Sequence, residues 1–445
     1  PFRLPFRRPF RWPRSVRLPV GRSFRWPRSV RLQVQLQVGR SFRRPVGRQI
    51  RLQVRRPSRP QPVNRTGERI YRSPYTCTGK GDPVVALPEF ELEMDDADLK
   101  WFRQHVGTPR CFEASLRTNG ASWPIWVGYR GNYSRRFPKA SYDIWFGERR
   151  PFSKHRRLHL NAAYRDPSLL RGRLALSIFD DIGVPTPAAW HVRVSLNGRD
   201  RGVYTALESV DAGWVDRQAG EPDAIYYGVG SLGTFGLVDP YTGEKKRDLS
   251  AGYEKAWPPD EEYADLKDLI YAITLPDHGQ FEDEINHVMD VESVLRWLVG
   301  LEFMSHTDGV VQNYALFRSV GGRWRTSPWD CDGTWGRMPN GDPLGAHEMD
   351  VATGEDNYLF VRLLATRRWS QLYRTLWSRL LDGPLSVGHV DERLSAIYHE
   401  IREDVLTDSH KRRSNNLFLR EPARIRQYVK ERIPIIRSRL RNLPR

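Results

Sequence analysis

Two polar side chains with a fixed separation suggest the chemistry that this chain could perform. The stretch HTDGVVQN at 306–313 places Asp308 five residues before Asn313. A carboxylate at the first position can accept or orient the proton of an attacking hydroxyl, and an amide oxygen at the second can coordinate a metal on phosphates. The pair therefore predicts phosphoryl transfer, provided that both side chains project from one short loop.

A second acidic motif follows 17 residues after Asn313, where the sequence DCDG supplies Asp330 and Asp332. Mg²⁺ and Mn²⁺ are hard ions that prefer carboxylate oxygens. In protein kinases a β-hairpin separates the catalytic loop from a metal-binding aspartate. The segments YALFR (314–318) and RWRTSPWD (323–330) predict such a hairpin, so we expect Asp330 to be a direct metal ligand and Asp332 a second ligand or a bridge.

Each motif also has an ordinary structural interpretation. Asp308 alone could be a turn residue after a helix, and DCDG alone could be an acidic turn. The two motifs in this order, joined by a predicted hairpin, favour the catalytic interpretation. Cys331 lies between two acids, which raises the pKa of a thiol and makes it a poor nucleophile.

A candidate phosphate-binding element lies in the N-terminal half, at YRGNYSRRFPK (129–139). Gly131 allows a close approach of the backbone to a ligand, while Arg130, Ser134 and Lys139 can meet phosphate oxygens. The element matches neither a G-x-G-x-x-G loop nor a Walker A loop. It is therefore a weak signal by itself, and Lys139 could equally be a solvated lysine of a strand.

Glu208 lies among apolar residues on a later predicted strand. A glutamate there could form an ion pair with Lys139, as the conserved lysine and glutamate of protein kinases do. The alternative is that Glu208 is an ordinary surface acid of the strand.

The elements that must position these residues differ between the two halves of the chain. Up to about residue 230, alternating apolar and polar residues predict strands, interrupted by a helix over 95–106 and by another that opens at Asp166-Pro167 and ends at Gly183. The strands are predicted over 84–94, 123–131, 141–146 and 155–162, followed by a hairpin that turns at Asn197-Gly198.

The second half has apolar residues at spacings of three and four, which predicts helices. Only the two motifs and their hairpin interrupt this pattern. The helices are predicted over 261–273, 291–304, 357–381, 391–406 and 421–440.

The strongly positive net charge of +18 is concentrated at one end of the chain. Residues 1–65 contain 19 arginines and no lysine or acid, which leaves a balance of −1 for the other 380 residues. FRWPRSVRL occurs at 10–18 and again at 24–32. We interpret 1–65 as a low-complexity, disordered basic tail, with attraction to nucleic acid or acidic surfaces as the alternative. The nearly neutral remainder does not support nucleic-acid binding by the folded domain.

Several adjoining motifs together resemble the CotH family, the spore-coat protein H kinases. The resemblance covers residues 80–340, and the following helices agree with the C-terminal part of that family. The stretches that carry it are YRGNYSRRFPKASYDIWF (129–146), the segment 158–211, HTDGVVQNYALFR (306–318) and PWDCDGTWG (328–336).

The resemblance implies an α+β fold, an atypical bilobal protein-kinase-like fold. Its β-rich lobe would cover 80–230 and bind the nucleotide, and its mainly helical lobe would cover 231–445 and carry the catalytic and metal-binding loops. The family pattern places catalytic Asp308, metal-binding Asn313, Asp330 and Asp332, and the R-G-x-x-S…K residues Arg130, Gly131, Ser134 and Lys139. It also includes Leu160, Asn161, Asp166, Ser168 and Arg171, of which we interpret the last three as a helix cap with a buried salt bridge.

The activity that the resemblance implies is transfer of the γ-phosphate of ATP to Ser or Thr hydroxyls of a protein, with Mg²⁺ or Mn²⁺. Coat or surface proteins are the expected acceptors. An inactive scaffolding protein with the same fold and a metal-dependent phosphoester hydrolase are the alternatives. No apolar run is long enough to span a bilayer, and no apolar segment typical of a signal peptide is visible. The bacterial cytoplasm, the spore coat and secretion therefore all stay open as locations.

Overall fold

The computed structural model describes residues 86–443, except for 107, 109, 132, 148–150, 240–241 and 353–356. The arginine-rich segment 1–65, predicted to be a disordered tail, lies outside the described residues. The described part is rich in sheet at its N-terminal end and helical at its C-terminal end, which agrees with the predicted α+β class. No helix in this part is both long enough and apolar enough to cross a membrane.

A closed barrel forms the N-terminal region. Its strand order is β1-β2-β3-β4-β5-β7-β6, and it closes through a parallel pairing of β1 with β6. Alternate residues such as Leu92, Ile144 and Val192 point inwards and are buried, as the period of two in a strand requires. The strands are β1 (Glu89–Met94), β2 (Cys111–Thr118), β3 (Ala121–Arg130), β4 (Ser141–Phe146), β5 (Arg157–Asn161), β6 (Ala189–Leu196) and β7 (Arg199–Glu208).

The predicted hairpin between β6 and β7 is confirmed. Asn197 and Gly198 both have positive φ, at 48° and 69°, which is the conformation of the tight turns that match the strand twist. The Asn197 amide also donates to the Met94 carbonyl oxygen at 2.8 Å, and its side-chain oxygen accepts from the Met94 N–H at 3.0 Å. The turn therefore also fixes the end of β1.

Helix α2 (Arg171–Asp181) begins later than the sequence predicts. The Asp166 carboxylate accepts from the backbone N–H groups of Ser168 and Arg171, at 2.9 and 3.0 Å, and Leu169 has a positive φ of 55°. These bonds turn the chain before the helix can start, so the expected opening at Asp166-Pro167 is wrong. Gly183, with φ 82°, follows the helix as predicted.

A second, antiparallel sheet lies at the junction with the helical region. Its strand order is β11-β10-β8-β9, and the β10–β11 pair is the hairpin predicted between the two acidic motifs. Because β8 pairs with β10 and not with the barrel, the expected boundary at residue 230 separates β8 from its partner. The strands are β8 (Pro222–Gly228), β9 (Tyr253–Trp257), β10 (Tyr314–Ser319) and β11 (Arg325–Pro328).

Helix α6 (Val291–Met304) is the centre of the helical region and has the predicted bounds. Trp297, Leu298 and most of its other residues are buried, as expected for a helix that is apolar on all sides. The helix predicted over 357–381 is instead two helices that meet at Thr366, whose ψ of 122° is extended.

The remaining helices surround α6 or cover the barrel, and α3 and α5 among them have no counterpart in the sequence prediction. They are α1 (Asp96–Gln104), α3 (Ala212–Ala219), α4 (Ala264–Ile273), α5 (His278–Val288), α7 (Tyr358–Ala365), α8 (Arg367–Leu381), α9 (Val387–Thr407) and α10 (Asn415–Asn442).

Candidate active site

The chain leaves α6 through a short 3₁₀ turn (Thr307–Val310) and then enters β10. Within this turn the Asp308 carboxylate accepts from the Gln312 amide at 3.0 Å and from the Asn313 amide at 3.1 Å. Both Asp308 and Asn313 are half-buried. Because Asn313 donates through its nitrogen, its side-chain oxygen stays available as an acceptor or a metal ligand.

A hydrogen bond joins this loop to the acidic motif. The Trp329 N–H donates to the Asn313 carbonyl oxygen at 2.9 Å, and the Asn313 N–H donates to Gly228 of β8 at 2.9 Å. Asn313 and Asp330 both have left-handed backbones, with φ of 59° and 49°. Such a conformation costs a residue with a side chain about 1 kcal/mol or more and is concentrated at functional sites.

A cleft lies between the barrel, the segment before α2 and the loop after β11. Arg130, Asp166, Asp330 and Asp332 line it together with Trp329. Its enclosed volume is about 30 Å³, which is enough for one or two water molecules.

The charges of the nearby carboxylates act on Asp332 at this cleft. Burial raises the pKa of half-buried Asp332, and the negative charges of Asp330, Asp166 and Asp308 raise it further, while Arg130 opposes them. Burial lowers the pKa of His306, although the negative charges of Asp308 and Asp330 act to raise it. The fold therefore brings the loop of Asp308 next to the loop of Asp330 and Asp332, although 22 residues separate Asp308 from Asp330 along the chain.

The oxygen donors of this group fit a hard divalent cation. Asp330 and Asp332 accept no hydrogen bond from the part of the chain that the structure describes, so both keep free lone pairs. Within that same part, no three His, Cys, Asp or Glu side chains are close enough to hold one ion. A metal would therefore need the carboxylates to move closer, or would complete its coordination with Asn313, phosphate oxygens and water.

Cys331, between the two aspartates, is buried and free. Burial raises the pKa of its thiol well above the ordinary range, and the charges of Asp330 and Asp332 add to this effect. The raised pKa and the burial of this thiol both agree with the prediction that it is a poor nucleophile.

Trp329 is a residue whose role the sequence analysis missed. The Arg130 guanidinium lies 4.8 Å from the centre of its ring, and the rings of His159 and Tyr227 contact it edge-on at 4.9 and 5.3 Å. These partners belong to β3, β5 and β8, so Trp329 packs both sheets against the acidic motif. Its position directly before that motif was the available signal.

Asp143, in the neighbouring strand, holds Arg130 from the other side. Its carboxylate lies 3.7 Å from the Arg130 Nε, accepts from Arg157 at 2.8 Å and contacts His159. Burial acts to raise the pKa of Asp143, but these cationic and hydrogen-bonding neighbours outweigh it and hold the pKa far below its usual range. Burial lowers the pKa of His159 to about 4. At neutral pH Asp143 is therefore an anion that orients Arg130 at the wall of the cleft.

The expected pair between Lys139 and Glu208 does not form. Lys139 is buried, and its ammonium donates to Asp408 at 2.7 Å and to the Val203 carbonyl oxygen at 2.6 Å. Glu208 instead accepts from His155 at 2.9 Å and contacts Arg217. The prediction failed because Asp408 lies 269 residues further along the chain, where no local pattern signals it. Neither Lys139 nor Glu208 lines the cleft.

Gly131 and Ser134 lie next to each other in the turn after β3. Gly131 has φ 92°, and a Cβ atom there would lie 2.0 Å from the Ser134 Oγ. Glycine is therefore required for the turn itself. Arg130 is the member of the predicted phosphate-binding element that lines the cleft, and the role of Gly131 and Ser134 toward a nucleotide stays a prediction.

Asp166 lines the cleft but is fully engaged by other groups. Arg171 donates to it at 2.7 Å and to Glu421 of α10 at 2.6 Å. The Ser168 hydroxyl donates to Asp166 at 2.7 Å, and Arg337 contacts Glu421 at 2.8 Å. The buried salt bridge predicted for Asp166 and Arg171 is confirmed, and this network fixes the start of α2 against α10.

Comparison with known proteins shows the family of this chain. The family model described as CotH kinase protein matches residues 127–436, which include both acidic motifs and Arg130. The chain is also 34% identical over 355 residues to the inner spore coat protein H of Bacillus subtilis (strain 168), which covers 80% of this chain and 98% of that protein. This chain belongs to the CotH kinase family.

A second relative of this CotH-family chain is the inner spore coat protein H-like protein of the same organism. It is 24% identical over 312 residues, which cover 69% of this chain and 88% of that protein. Among solved structures, the proinflammatory kinase CtkA of Helicobacter pylori matches with a TM-score of 0.33 and 8% identity, covering 76% of this chain and 93% of CtkA. The family match ends before residue 437 and begins after the arginine-rich segment.

Proposed function

We propose that this CotH-family chain is an atypical protein kinase that transfers the γ-phosphate of ATP to Ser or Thr hydroxyls of a protein. One observation carries the proposal. Asp330 and Asp332 line one cleft, and Asp308 is near enough for its charge to raise the pKa of Asp332. Asp330 and Asp332 have no hydrogen-bond donor within the described residues, whereas the buried carboxylates Asp166 and Asp408 are saturated with donors. Unpaired carboxylates of this kind are suited to a cationic ligand.

Asp308 would accept or orient the proton of the acceptor hydroxyl, since the amides of Gln312 and Asn313 hold its carboxylate in place. Asn313, Asp330 and Asp332 would hold Mg²⁺ or Mn²⁺, with Asp330 as the direct ligand. Such an ion supplies charge neutralisation for the transferring phosphoryl group. Arg130, oriented by Asp143 and Trp329, would contact a phosphate of the nucleotide.

The enclosed volume of about 30 Å³ is far below the roughly 300 Å³ of small ligand pockets. ATP would therefore enter only if the barrel wall separates from the loop after β11. The barrel and the helical region would then act as the two lobes of a kinase-like fold, with the nucleotide between them. The packing of Trp329 against Arg130 and His159 closes this gap in the present arrangement.

The names of the relatives support a proposal for the acceptor and the location. Both are named as inner spore coat proteins or as similar to one. We infer that this chain acts on coat or surface proteins and is located in the spore coat.

Transfer is tested by incubating the full chain with labelled ATP and Mg²⁺ or Mn²⁺, followed by mass spectrometry of phosphorylated residues. We expect phosphorylated Ser or Thr with the wild type and none with Asp308→Ala or Asp330→Ala, at unchanged thermal unfolding. Wild-type activity in either variant contradicts the assignment. ATP hydrolysis without any phosphorylated protein would instead favour a phosphoester hydrolase.

A scaffolding protein that has kept the fold but lost transfer is the second candidate. The closed cleft and the lack, within the described residues, of a preassembled group of three metal ligands favour it. A thermal-shift measurement with ATP, with and without Mg²⁺, distinguishes the two. If the chain is a kinase, ATP should raise its unfolding temperature only in the presence of Mg²⁺. If it is a scaffold, ATP should not change the unfolding temperature.

A further inference from the structure

A basic segment connects α9 to α10 beside the cleft. Lys411, Arg412 and Arg413 are consecutive, and they line a depression together with residues 162–164, 166–167 and 169. The cleft and this depression share the wall formed by Ala163, Asp166 and Leu169. The depression that these cations line is therefore adjacent to the cleft.

The segment is held in place by the buried carboxylate of Asp408. Asp408 accepts from the Lys139 ammonium at 2.7 Å and from the Val203 N–H at 3.0 Å. It also accepts from the N–H groups of His410 and Lys411, at 2.7 and 3.2 Å. Four donors thus fix the start of the segment against β7.

Gly202 shows how tight this attachment is. A Cβ atom at Gly202, which has φ 80°, would lie 2.1 Å from the Asp408 Oδ1. The attachment therefore requires a glycine in β7 opposite the aspartate. Lys139, expected from the sequence to bind phosphate, instead serves to hold the basic segment.

The charges of the segment are not neutralised locally. The negative charge of Asp408 is matched by Lys139, and the Lys411 ammonium donates to the Asp408 carbonyl oxygen at 2.6 Å. Arg412 and Arg413 are exposed and form no ion pair with any residue that the structure describes. The depression thus combines up to three cations with backbone that is fixed in position.

We propose that this depression binds a phosphomonoester of the acceptor protein, a phosphoserine or phosphothreonine left by an earlier turnover. The inference rests on the proposed function, because transfer supplies that group. A phosphomonoester carries a charge of about −1.5 to −2 and three acceptor oxygens, and guanidinium groups match its geometry with paired donors. An acceptor anchored there would present a neighbouring hydroxyl to the cleft, which favours phosphorylation of clustered residues.

The phosphates of the nucleotide carry the same kind of negative charge and acceptor oxygens, so they are the other possible ligand of these cations. Arg130, the cation of the cleft, lies on the barrel side, whereas the basic segment lines only the neighbouring depression. We therefore assign the segment to the acceptor, and the experiment includes a separate arm for the nucleotide.

The test measures fluorescence polarisation of two labelled Ser-Ala peptides, identical except for one phosphoserine, with the full chain in the absence of ATP and metal. We expect the wild type to bind the phosphopeptide about tenfold more tightly, as one or two charge-assisted bonds allow. Arg412→Ala/Arg413→Ala should bind both peptides equally. The control Arg420→Ala/Lys430→Ala removes two exposed charges from α10 and should keep the preference.

A wild type without preference, or a preference that survives in Arg412→Ala/Arg413→Ala, overturns the proposal. In the nucleotide arm, thermal stabilisation by ATP and Mg²⁺ should be equal in the wild type and in this variant. Loss of that stabilisation in the variant would assign the cations to the nucleotide and would also overturn the proposal. The peptide arm needs no transfer, so a failed docking site and a failed kinase give different results.

Discussion

Two groups of acids in this molecule differ in their partners. Asp166, Asp408 and Glu421 each bond to a cation and to further donors, and none of their charge is left over. Asp330 and Asp332 bond to no donor in the described part of the chain, and the charge of Asp330 adds to the burial that raises the pKa of Asp332. The comparison teaches that the acids that hold the fold are buried and saturated with partners, whereas exposed Asp330 and half-buried Asp332 are accessible and available to a ligand.

The two groups should respond to mutation in opposite ways. Removing one partner from a saturated buried pair leaves an unpaired charge and destabilises the fold. Removing an unpaired acid from the cleft relieves repulsion between carboxylates and leaves the fold intact, but it weakens binding of the ligand. The following substitutions test each half of this contrast.

The largest effect is expected for Asp330→Ala. Loss of a direct metal ligand should lower phosphoryl transfer by at least about 10³-fold, which corresponds to about 4 kcal/mol. The free energy of unfolding should not fall. The control Glu284→Ala removes an exposed acid of α5 and should keep full activity. A loss below tenfold for Asp330→Ala would place the metal elsewhere.

Arg171→Met tests the saturated group. It leaves Asp166 and Glu421 without their shared cation, so the free energy of unfolding should fall by about 3 kcal/mol. Denaturation by urea measures this change. Arg393→Met, which breaks the more exposed pair with Asp181, should cost no more than about 1 kcal/mol. Equal losses in the two variants would show that saturation has no special role.

Gly202→Ala tests the attachment of the basic segment. The new methyl group would meet the Asp408 carboxylate in a left-handed backbone, so we expect a loss of about 2 kcal/mol or more. Gly120→Ala has a similar φ of 73° but nothing within 4 Å, and should lose about 1 kcal/mol. Urea denaturation compares them, and equal losses would contradict the tight contact between β7 and Asp408.

Asp332→Asn should give the smallest effect, and with the opposite sign. In metal-free buffer at pH 7 it should stabilise the fold on the order of 1 kcal/mol. The pKa of Asp332 in the folded protein is raised by burial and by neighbouring acids. Ionised Asp332 therefore lowers the free energy of unfolding at every pH above the pKa of the unfolded chain, and most at a pH above the folded pKa. The gain should therefore shrink as the pH falls from this raised pKa toward the ordinary value of 3.8. A destabilised variant would contradict this account.

The sequence predicted the elements whose signals are local. The apolar pattern of α6, the Asn197-Gly198 turn and the β10–β11 hairpin all follow from neighbouring residues. These elements carry Asp308, Asn313 and the acidic motif, so the structure could bring together residues that the sequence singled out.

The rest depended on distant partners. Lys139 bonds to an aspartate 269 residues away, and β8 pairs with a strand that follows some 90 residues later. The start of α2 was misplaced because Asp166 is satisfied by a turn and by Arg171. Trp329 contacts residues of three strands, β3, β5 and β8, and no spacing rule in the sequence predicts these contacts.

Calorimetric titration of the full chain with ATP, with and without Mg²⁺, tests the central contrast most directly. The wild type should bind one ATP only when the metal is present, and Asp330→Ala/Asp332→Ala should lose this binding while its free energy of unfolding does not fall. Binding of ATP that needs no metal, or that persists in the double variant, would contradict the assignment of the unpaired carboxylates to a metal and a nucleotide.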